Sequence, residues 1–120
     1  MTTTATGHAA EQLAADYLAA RGYEILSRNW RNRWCELDIV ARHRPYPSAI
    51  CFVEVKYRAN TAYGYGTEYI SHDKANRLRR AALAWNQAHR YTGPFQIDVI
   101  AVEGSLASPA ITHLSNAIFD

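Results

Sequence analysis

The segment Ile50–Arg58 has the sequence ICFVEVKYR. β-Branched and aromatic residues dominate it, which is typical of a strand. Its second half contains Glu54-Val55-Lys56, an acid and a lysine separated by one residue. Side chains two positions apart in a strand lie on the same face. The segment therefore predicts a largely apolar strand that presents a carboxylate and an ammonium group on one face.

The preceding segment, Trp34–Arg42, predicts the antiparallel partner of that strand. Its residues alternate between the two faces of a sheet. One predicted face carries Cys35, Leu37, Ile39 and Ala41, and the other carries Trp34, Glu36, Asp38 and Val40. The intervening loop, His43–Ala49, contains two prolines, which cannot donate to a sheet ladder.

A hairpin centred on Tyr46 pairs residues whose numbers sum to 92, so that Asp38 lies opposite Glu54. Directly opposed Cβ atoms are about 4.5–5.5 Å apart. Two carboxylates this close repel each other until a proton or a cation relieves the repulsion. Mg²⁺ prefers oxygen ligands and is usually bound through one or two carboxylates together with a substrate phosphate. The pair therefore indicates a candidate magnesium site.

Two lysines, Lys56 and Lys74, stand among thirteen basic residues. Lys74 aligns with the apolar stripe of a predicted helix and is expected at its sheet-facing end. Simpler alternatives remain open, because Lys56 can pair with Glu36 across the hairpin and the stem of Lys74 can cover apolar surface. Glu11 flanks the buried stripe of the first helix, where an ordinary glutamate interacting with the helix dipole is the alternative.

The rest of the chain predicts one α/β domain with the order α-β-β-β-α-β-β around a mixed sheet. Residues Met1–Ala5 are expected to form a frayed tail. The other predicted segments are a helix over Gly7–Arg21 with Thr6 as N-cap and Gly22 as its stop, a strand Tyr23–Trp30, a turn Asn29–Arg33, a loop Ala59–Ile70, a helix from the cap Ser71 to about His89, and strands Phe95–Val102 and Ile111–Leu114.

Length and composition fit a single folded domain of 120 residues, with 48% hydrophobic and 20% charged residues. The longest apolar-leaning uncharged stretch, Pro45–Val53, is far shorter than the roughly 20 residues of a membrane span. No secretory leader is recognisable, so we expect a cytoplasmic protein. The net charge of +2 is compatible with nucleic-acid binding but does not establish it. Cys35 and Cys51 are interpreted as small buried hydrophobic residues.

Several motifs together resemble the YraN family, small bacterial proteins regarded as endonuclease-like. The resemblance extends from Gly7 to Phe119. It rests on Gly7-His8-x-x-Glu11, Arg28-Asn29-Trp30-Arg31, Glu36-Leu37-Asp38-Ile39-Val40-Ala41, Phe52-Val53-Glu54-Val55-Lys56-x-Arg58 and Lys74. That family in turn resembles the PD-(D/E)XK nucleases and the archaeal Holliday-junction resolvases.

The resemblance implies a restriction-endonuclease-like αβββαβ core, with a mixed central sheet flanked by helices. It implies Asp38, Glu54 and the Val55 carbonyl as ligands of Mg²⁺ or Mn²⁺, with Glu11 as the first-helix acid near the metal and Lys56 as the catalytic lysine. The expected activity is hydrolysis of phosphodiester bonds in DNA, including branched or flapped DNA, and a homodimer is compatible with it. The alternative function is a nucleic-acid-binding or assembly protein that keeps the fold without turnover.

Other residues are expected to contact the nucleic acid. Arginines contact backbone phosphates without reading sequence, and tyrosines can stack on bases. The candidates are Lys74, Arg28, Arg31, Arg33, Arg58, Arg77, Tyr63 and Tyr65. Solvated surface charge and an ordinary tyrosine-bearing loop are the alternatives.

Overall fold

The computed structural model describes residues 3–43, 49–59 and 70–118. The elements are α1 (Thr3–Ala20), β1 (Tyr23–Arg31), β2 (Glu36–His43), β3 (Ile50–Arg58), α2 (His72–Ala88), β4 (Phe95–Glu103) and β5 (Ala110–Ile118). The strands form one sheet in the order β1-β2-β3-β4-β5. β3 and β4 are parallel, and the other neighbours are antiparallel. The predicted α/β class, mixed sheet and element order are confirmed.

The two helices cover opposite faces of the sheet. α1 packs a stripe of small residues and Leu18 against one apolar cluster, whose strand members include Ile39 and Val53. α2 packs Leu78 and Trp85 against the other cluster, around Phe52. No helix in the described ranges is both long and apolar enough to cross a membrane. Because both faces are covered at the centre, polar side chains of the central strands can emerge only where strands end or separate.

The start of α2 and the end of α1 follow the predicted signals. The Ser71 side chain accepts a hydrogen bond from the Lys74 backbone N–H at 3.0 Å, which satisfies a donor at the start of α2. Gly22 follows α1 with a φ of 88°, a conformation that glycine adopts without strain. β3 has the predicted bounds, Ile50–Arg58.

Other boundaries differ from the prediction. α1 begins at Thr3, so residues 3–5 are helical and Thr6 is not the N-cap; the segment before Gly7 contains no residue that breaks a helix. β2 begins at Glu36 instead of Trp34, and β5 continues to Ile118. Residues 44–48 and 60–69 lie outside the described residues, and with them the predicted stacking residues Tyr63 and Tyr65.

The predicted faces of β2 are wrong at its start. Leu37 is buried in the cluster beneath α2, and Cys35 packs on the same cluster, whereas Ile39 lies beneath α1. Asn29 lies on β1 between the residues paired with Ile39 and Leu37, and its φ is 50°. A left-handed residue interrupts the regular pleat of a strand pair. The change of face therefore occurs beside Asp38, between Leu37 and Ile39.

Asp98, fully buried on β4, ties β5 to the sheet. Its carboxylate accepts hydrogen bonds from the Asn116 backbone N–H at 2.8 Å and from Gln96 Nε2 at 2.9 Å, and it lies 2.9 Å from His113 Nε2. The β4–β5 register shifts between Ile97 and Val99. The carboxylate thus supplies acceptors where the strand ladder is irregular. Burial and the nearby Asp98 also raise the pKa of the Cys51 thiol to about 12, so Cys51 is an inert core residue.

We expect Asp98→Ala to lower the free energy of unfolding by about 3 kcal/mol, because it leaves several part-buried donors without their acceptor. Denaturant titration measures the difference. Asp16→Ala is the control, since the Asp16 carboxylate is exposed and accepts a hydrogen bond from Gln12 within one helix; its effect should stay within about 0.5 kcal/mol. Equal effects of the two substitutions would contradict a stabilising role of the Asp98 network.

Candidate functional site

The candidate site lies where β2 and β3 separate. The ladder between them joins Arg42 to Ile50 and ends at Ile39 and Val53. Its register confirms the prediction that paired residue numbers sum to 92. β3 continues beside β4 as far as Arg58. We call the gap between β2 and β3 beyond the Ile39–Val53 pair the fork.

Asp38 and Glu54 are the first residues of their strands inside the fork. The Val55 backbone N–H donates a hydrogen bond to Asp38 Oδ2 at 2.9 Å, so a side chain replaces the missing ladder acceptor. In an extended strand the N–H and C=O of one residue point to the same edge. The Val55 carbonyl is therefore directed towards the fork as well. The site combines two carboxylates and a backbone oxygen.

Lys74 neutralises part of this charge. Its Nζ lies 2.9 Å from Glu54 Oε1, and the two side chains are 33% and 12% exposed. Lys74 is the third residue of α2, and the Ser71 cap fixes its backbone. A helix N-terminus also carries partial positive charge that favours a nearby carboxylate. The start of α2 thus delivers positive charge to the fork.

The Asp38 carboxyl is strongly perturbed. Burial, followed by the charges of Glu54 and Glu11, raises its pKa from 3.8 to about 7. The Val55 N–H and Lys74 act in the opposite direction and lower it. Without a further cation, the Asp38 carboxyl therefore keeps its proton to a much higher pH than an ordinary aspartate does. Such a displaced pKa in a cleft is typical of functional sites.

Glu11 approaches the fork from α1, on the other side of the sheet. Its charge contributes to the raised pKa of Asp38. Glu11 Oε2 is buried and has no hydrogen-bond partner among the described residues. An unpaired buried carboxylate oxygen is costly, so it marks a place where a ligand would be stabilising. The opening between β2 and β3 makes this approach possible.

The donor set suits a hard cation. Within the described ranges, no three His, Cys, Asp or Glu side chains are close enough together to hold a metal ion by themselves. Mg²⁺ does not need three protein side chains, because water and substrate phosphate complete its coordination. Asp38, Glu54 and the Val55 carbonyl offer only oxygen, which fits Mg²⁺ or Mn²⁺ and does not fit a structural zinc site.

Lys56 lies two residues beyond Glu54 on β3, and it makes no ion pair with another described residue. Glu36 was considered above as an alternative ion-pair partner of Lys56. Its Oε2 atom lies 3.7 Å from Arg31 Nη2 instead, and the side chains of Glu36 and Arg31 are both exposed. The structure therefore does not place Lys56 in the cross-hairpin ion pair.

The carboxylates form part of a cleft of about 370 Å³. Arg77, which was predicted to contact nucleic acid, lines this cleft. Trp34 and Arg80 line it as well and were not among the predicted residues. The spacing Lys74, Arg77, Arg80 along α2 was the available signal, because residues three apart lie on neighbouring positions of a helix surface. The lining residues are Trp34, Cys35, Glu36, Asp38, Glu54, Lys74, Arg77, Leu78 and Arg80.

The other four predicted arginines do not line the cleft. Arg28 Nη1 donates to Gln12 Oε1 of α1 at 2.8 Å. Arg31 pairs with Glu36, and the guanidinium of Arg33 lies 4.9 Å from the centroid of the Trp34 ring. Arg58 is half-buried near the end of β3.

The chain is similar to proteins of one family. The model of the uncharacterised protein family UPF0102 matches residues 10–102. A UPF0102 protein of Trichlorobacter lovleyi is 45% identical over 119 residues, covering 94% of this chain and 89% of that protein. A UPF0102 protein of Clavibacter michiganensis is 43% identical over 97 residues, covering 80% of each. One of Leifsonia xyli is 40% identical over 114 residues, covering 93% and 94%.

We expect Asp38→Asn to stabilise the metal-free protein at alkaline pH. Unfolded Asp38 ionises near pH 3.8, but the raised pKa delays ionisation in the folded state to about pH 7. The folded state is therefore penalised progressively between these values and fully above them. In buffer that contains a metal chelator, the free energy of unfolding of the variant should exceed that of the parent by on the order of 1 kcal/mol at pH 8. The two proteins should be equally stable below pH 4.

Urea titrations at pH 4 and pH 8 measure this difference. Asp16→Asn controls for the loss of one negative charge at an exposed site. A variant that is destabilised at pH 8 would contradict the electrostatic strain inferred at Asp38.

Proposed function

The chain belongs to the uncharacterised protein family UPF0102, and we propose that it is a metal-dependent endonuclease of the PD-(D/E)XK type that hydrolyses phosphodiester bonds in DNA. The observation that carries the proposal is the convergence of Asp38, Glu54 and the Val55 backbone at the fork. The order α-β-β-β-α-β and the lysine two residues after Glu54 support the same assignment. The proposal includes action in the cytoplasm and, by analogy with resolvases, a homodimer.

Asp38, Glu54 and the Val55 carbonyl would hold Mg²⁺ or Mn²⁺, and Glu11 would bind a second ion or position a water molecule from the α1 side. When bound, the ion supplies positive charge that offsets the negative charge developing on the phosphate. It also relieves the repulsion that raises the pKa of Asp38. The protein's own part is to hold these oxygens together before the substrate arrives.

Lys56 and Glu11 have separate roles in the proposed reaction. The Lys56 ammonium donates hydrogen bonds, so it orients the attacking water or stabilises charge on a phosphate oxygen. The unpaired Oε2 of Glu11 accepts a hydrogen bond from a water molecule at the fork. The carboxylates accept the proton of the attacking water, because an ammonium group has donors but no acceptor.

Binding of the nucleic acid uses the cationic side of the cleft. Lys74, Arg77 and Arg80 extend along one side of α2 and line the cleft together. Contacts of this kind bind backbone phosphates independently of sequence and weaken as salt rises. When a phosphate or a cation approaches Glu54, Lys74 can exchange its carboxylate partner for the phosphate.

A second candidate function is nucleic-acid binding without turnover. The observation that favours it is the 2.9 Å ion pair between Lys74 and Glu54, which compensates one carboxylate without any metal. In that case the cleft would bind phosphates, and the fork would be a structural feature. The two functions differ in whether a divalent cation binds at the fork and whether DNA is cut.

We expect Glu54→Gln to reduce DNA cleavage at least about 100-fold in Mg²⁺ or Mn²⁺ while binding is retained, because the amide keeps the shape but loses the charge that holds the ion. Nicking of supercoiled DNA and cleavage of branched DNA measure activity, and gel shifts in chelator measure binding. Glu24→Gln, at an exposed position on β1, is the matched control. DNA that is bound by the parent protein but never cut with either metal would favour the second function.

A separate measurement tests the metal site directly. Calorimetric titration of the parent protein with Mn²⁺ should show one binding event that Asp38→Asn weakens at least about tenfold, since one charged ligand is removed. Asp16→Asn should bind like the parent. Undiminished binding to the Asp38 variant would place the ion elsewhere and reject the proposed ligand set.

A further inference from the structure

We propose that Trp34 is a stacking platform for an unpaired base, and that the cleft therefore prefers nucleic acid with an unpaired nucleotide next to the scissile phosphate. The inference rests on the proposed nuclease function and names the substrate class of the same site. It is carried by the exposure of Trp34, the rigidity of the turn that holds it and the charges around it.

Trp34 is 79% exposed, more than any other large hydrophobic side chain in the described part of the chain. The next is Leu83, at 55%, whereas Trp85 is 4% exposed in the core. A tryptophan has a large apolar area, and leaving it in water forgoes the stabilisation that burial would give. Core packing therefore does not explain the position of Trp34.

The turn between β1 and β2 holds Trp34 rigidly. Asn32 Oδ1 accepts hydrogen bonds from the backbone N–H groups of Trp34 at 2.8 Å and of Cys35 at 2.7 Å. The Asn32 N–H donates to the Cys35 carbonyl at 2.9 Å. Cys35 itself packs against the core beneath α2. A backbone fixed in this way loses little entropy when a ligand binds.

The surroundings of Trp34 suit a nucleotide. The Arg33 guanidinium lies 4.9 Å from the centroid of the indole ring. Trp34 shares its cleft with Asp38, Glu54 and the two arginines Arg77 and Arg80. A base stacked on the indole would bring its own phosphate among cationic side chains and towards the fork. Stacking of this kind tolerates every base, because each has an aromatic face.

Stacking within a duplex covers both faces of a base with the neighbouring base pairs, so an unpaired or extruded base is the one that can use the platform. An exposed tryptophan is also typical of protein–protein contacts. Two carboxylates of this face already have cationic partners, Glu36 with Arg31 and Glu54 with Lys74. A symmetric contact between two copies would therefore bring the remaining cations, Arg33, Arg77 and Arg80, of both copies together. Like charges across an interface are unfavourable, and these charges favour a polyanionic ligand over a second copy.

The experiment compares Trp34→Ala, Trp34→Phe and the control Leu83→Ala in chelator at one fixed salt concentration. Leu83 is another exposed apolar residue, and it does not line this cleft. The ligands are oligo-dT, a blunt duplex, and the same duplex with a single-stranded flap. Binding is followed by fluorescence anisotropy of labelled DNA and by quenching of tryptophan emission.

Trp34→Ala should weaken binding of oligo-dT and of the flap about tenfold, in keeping with the energy of one stacked base, and of the blunt duplex less than twofold. Trp34→Phe should retain most of the affinity but lose most of the quenching, because Trp34 is the exposed indole. Leu83→Ala should match the parent on all three ligands.

Three outcomes would overturn the inference. Trp34→Ala could bind all three DNA ligands as tightly as the parent does. It could lose the same factor of affinity for the flap and for the blunt duplex. It could also abolish a concentration-dependent dimer in sedimentation without changing DNA binding. The outcome for nuclease activity is separate. Cleavage in Mg²⁺ that is indifferent to Trp34 rejects the platform alone, and Trp34-dependent binding without cleavage by the parent rejects the nuclease alone.

Discussion

The site depends on one hydrogen bond that a sheet would not ordinarily make, between the Val55 backbone N–H and the Asp38 carboxylate. β3 is paired with β4 along its whole length, but with β2 only as far as Val53. A buried N–H without an acceptor costs free energy, and Asp38 supplies that acceptor. The same bond brings a carboxylate beside Glu54. The hydrogen bond that satisfies the Val55 N–H therefore also brings the two carboxylates close together.

Two carboxylates this close together require nearby positive charge, and the fold supplies only part of that charge. Lys74 pairs with Glu54, yet the pKa of Asp38 remains raised to about 7. Glu11 adds a further negative charge from the opposite face, and its buried Oε2 has no hydrogen-bond partner in the part of the chain that the structure describes. A protein selected for stability alone would replace such groups with apolar ones. The negative charge that remains is the physical basis of the proposed cation site.

Turn and capping residues in the sequence, together with the pairing of neighbouring strands, predicted much of this arrangement. The proline-containing loop set the hairpin centre, so the register of the four residue pairs followed from it. Asp38 and Glu54 lie just beyond the last of these pairs and interact electrostatically. The Ser71 cap located Lys74 at the start of α2. The exchange of faces at Leu37 was not predictable, because it depends on a left-handed residue in the neighbouring strand, Asn29. The sequence predicted that Lys74 lies near the carboxylates. It could not predict the ion pair with Glu54, because that contact joins elements that are distant in the sequence.

The ion pair between Lys74 and Glu54 decides how the cleft can work. If Lys74 stayed on Glu54, a divalent cation would have to share that carboxylate with an ammonium, and the like charges would repel each other. A phosphate entering along Arg77 and Arg80 offers Lys74 another anionic partner within the same cleft. Release of Glu54 would then coincide with arrival of the substrate. If the proposed function holds, affinity for the ion should therefore rise when a phosphate is present, because the protein, the ion and the phosphate would then balance one another's charge.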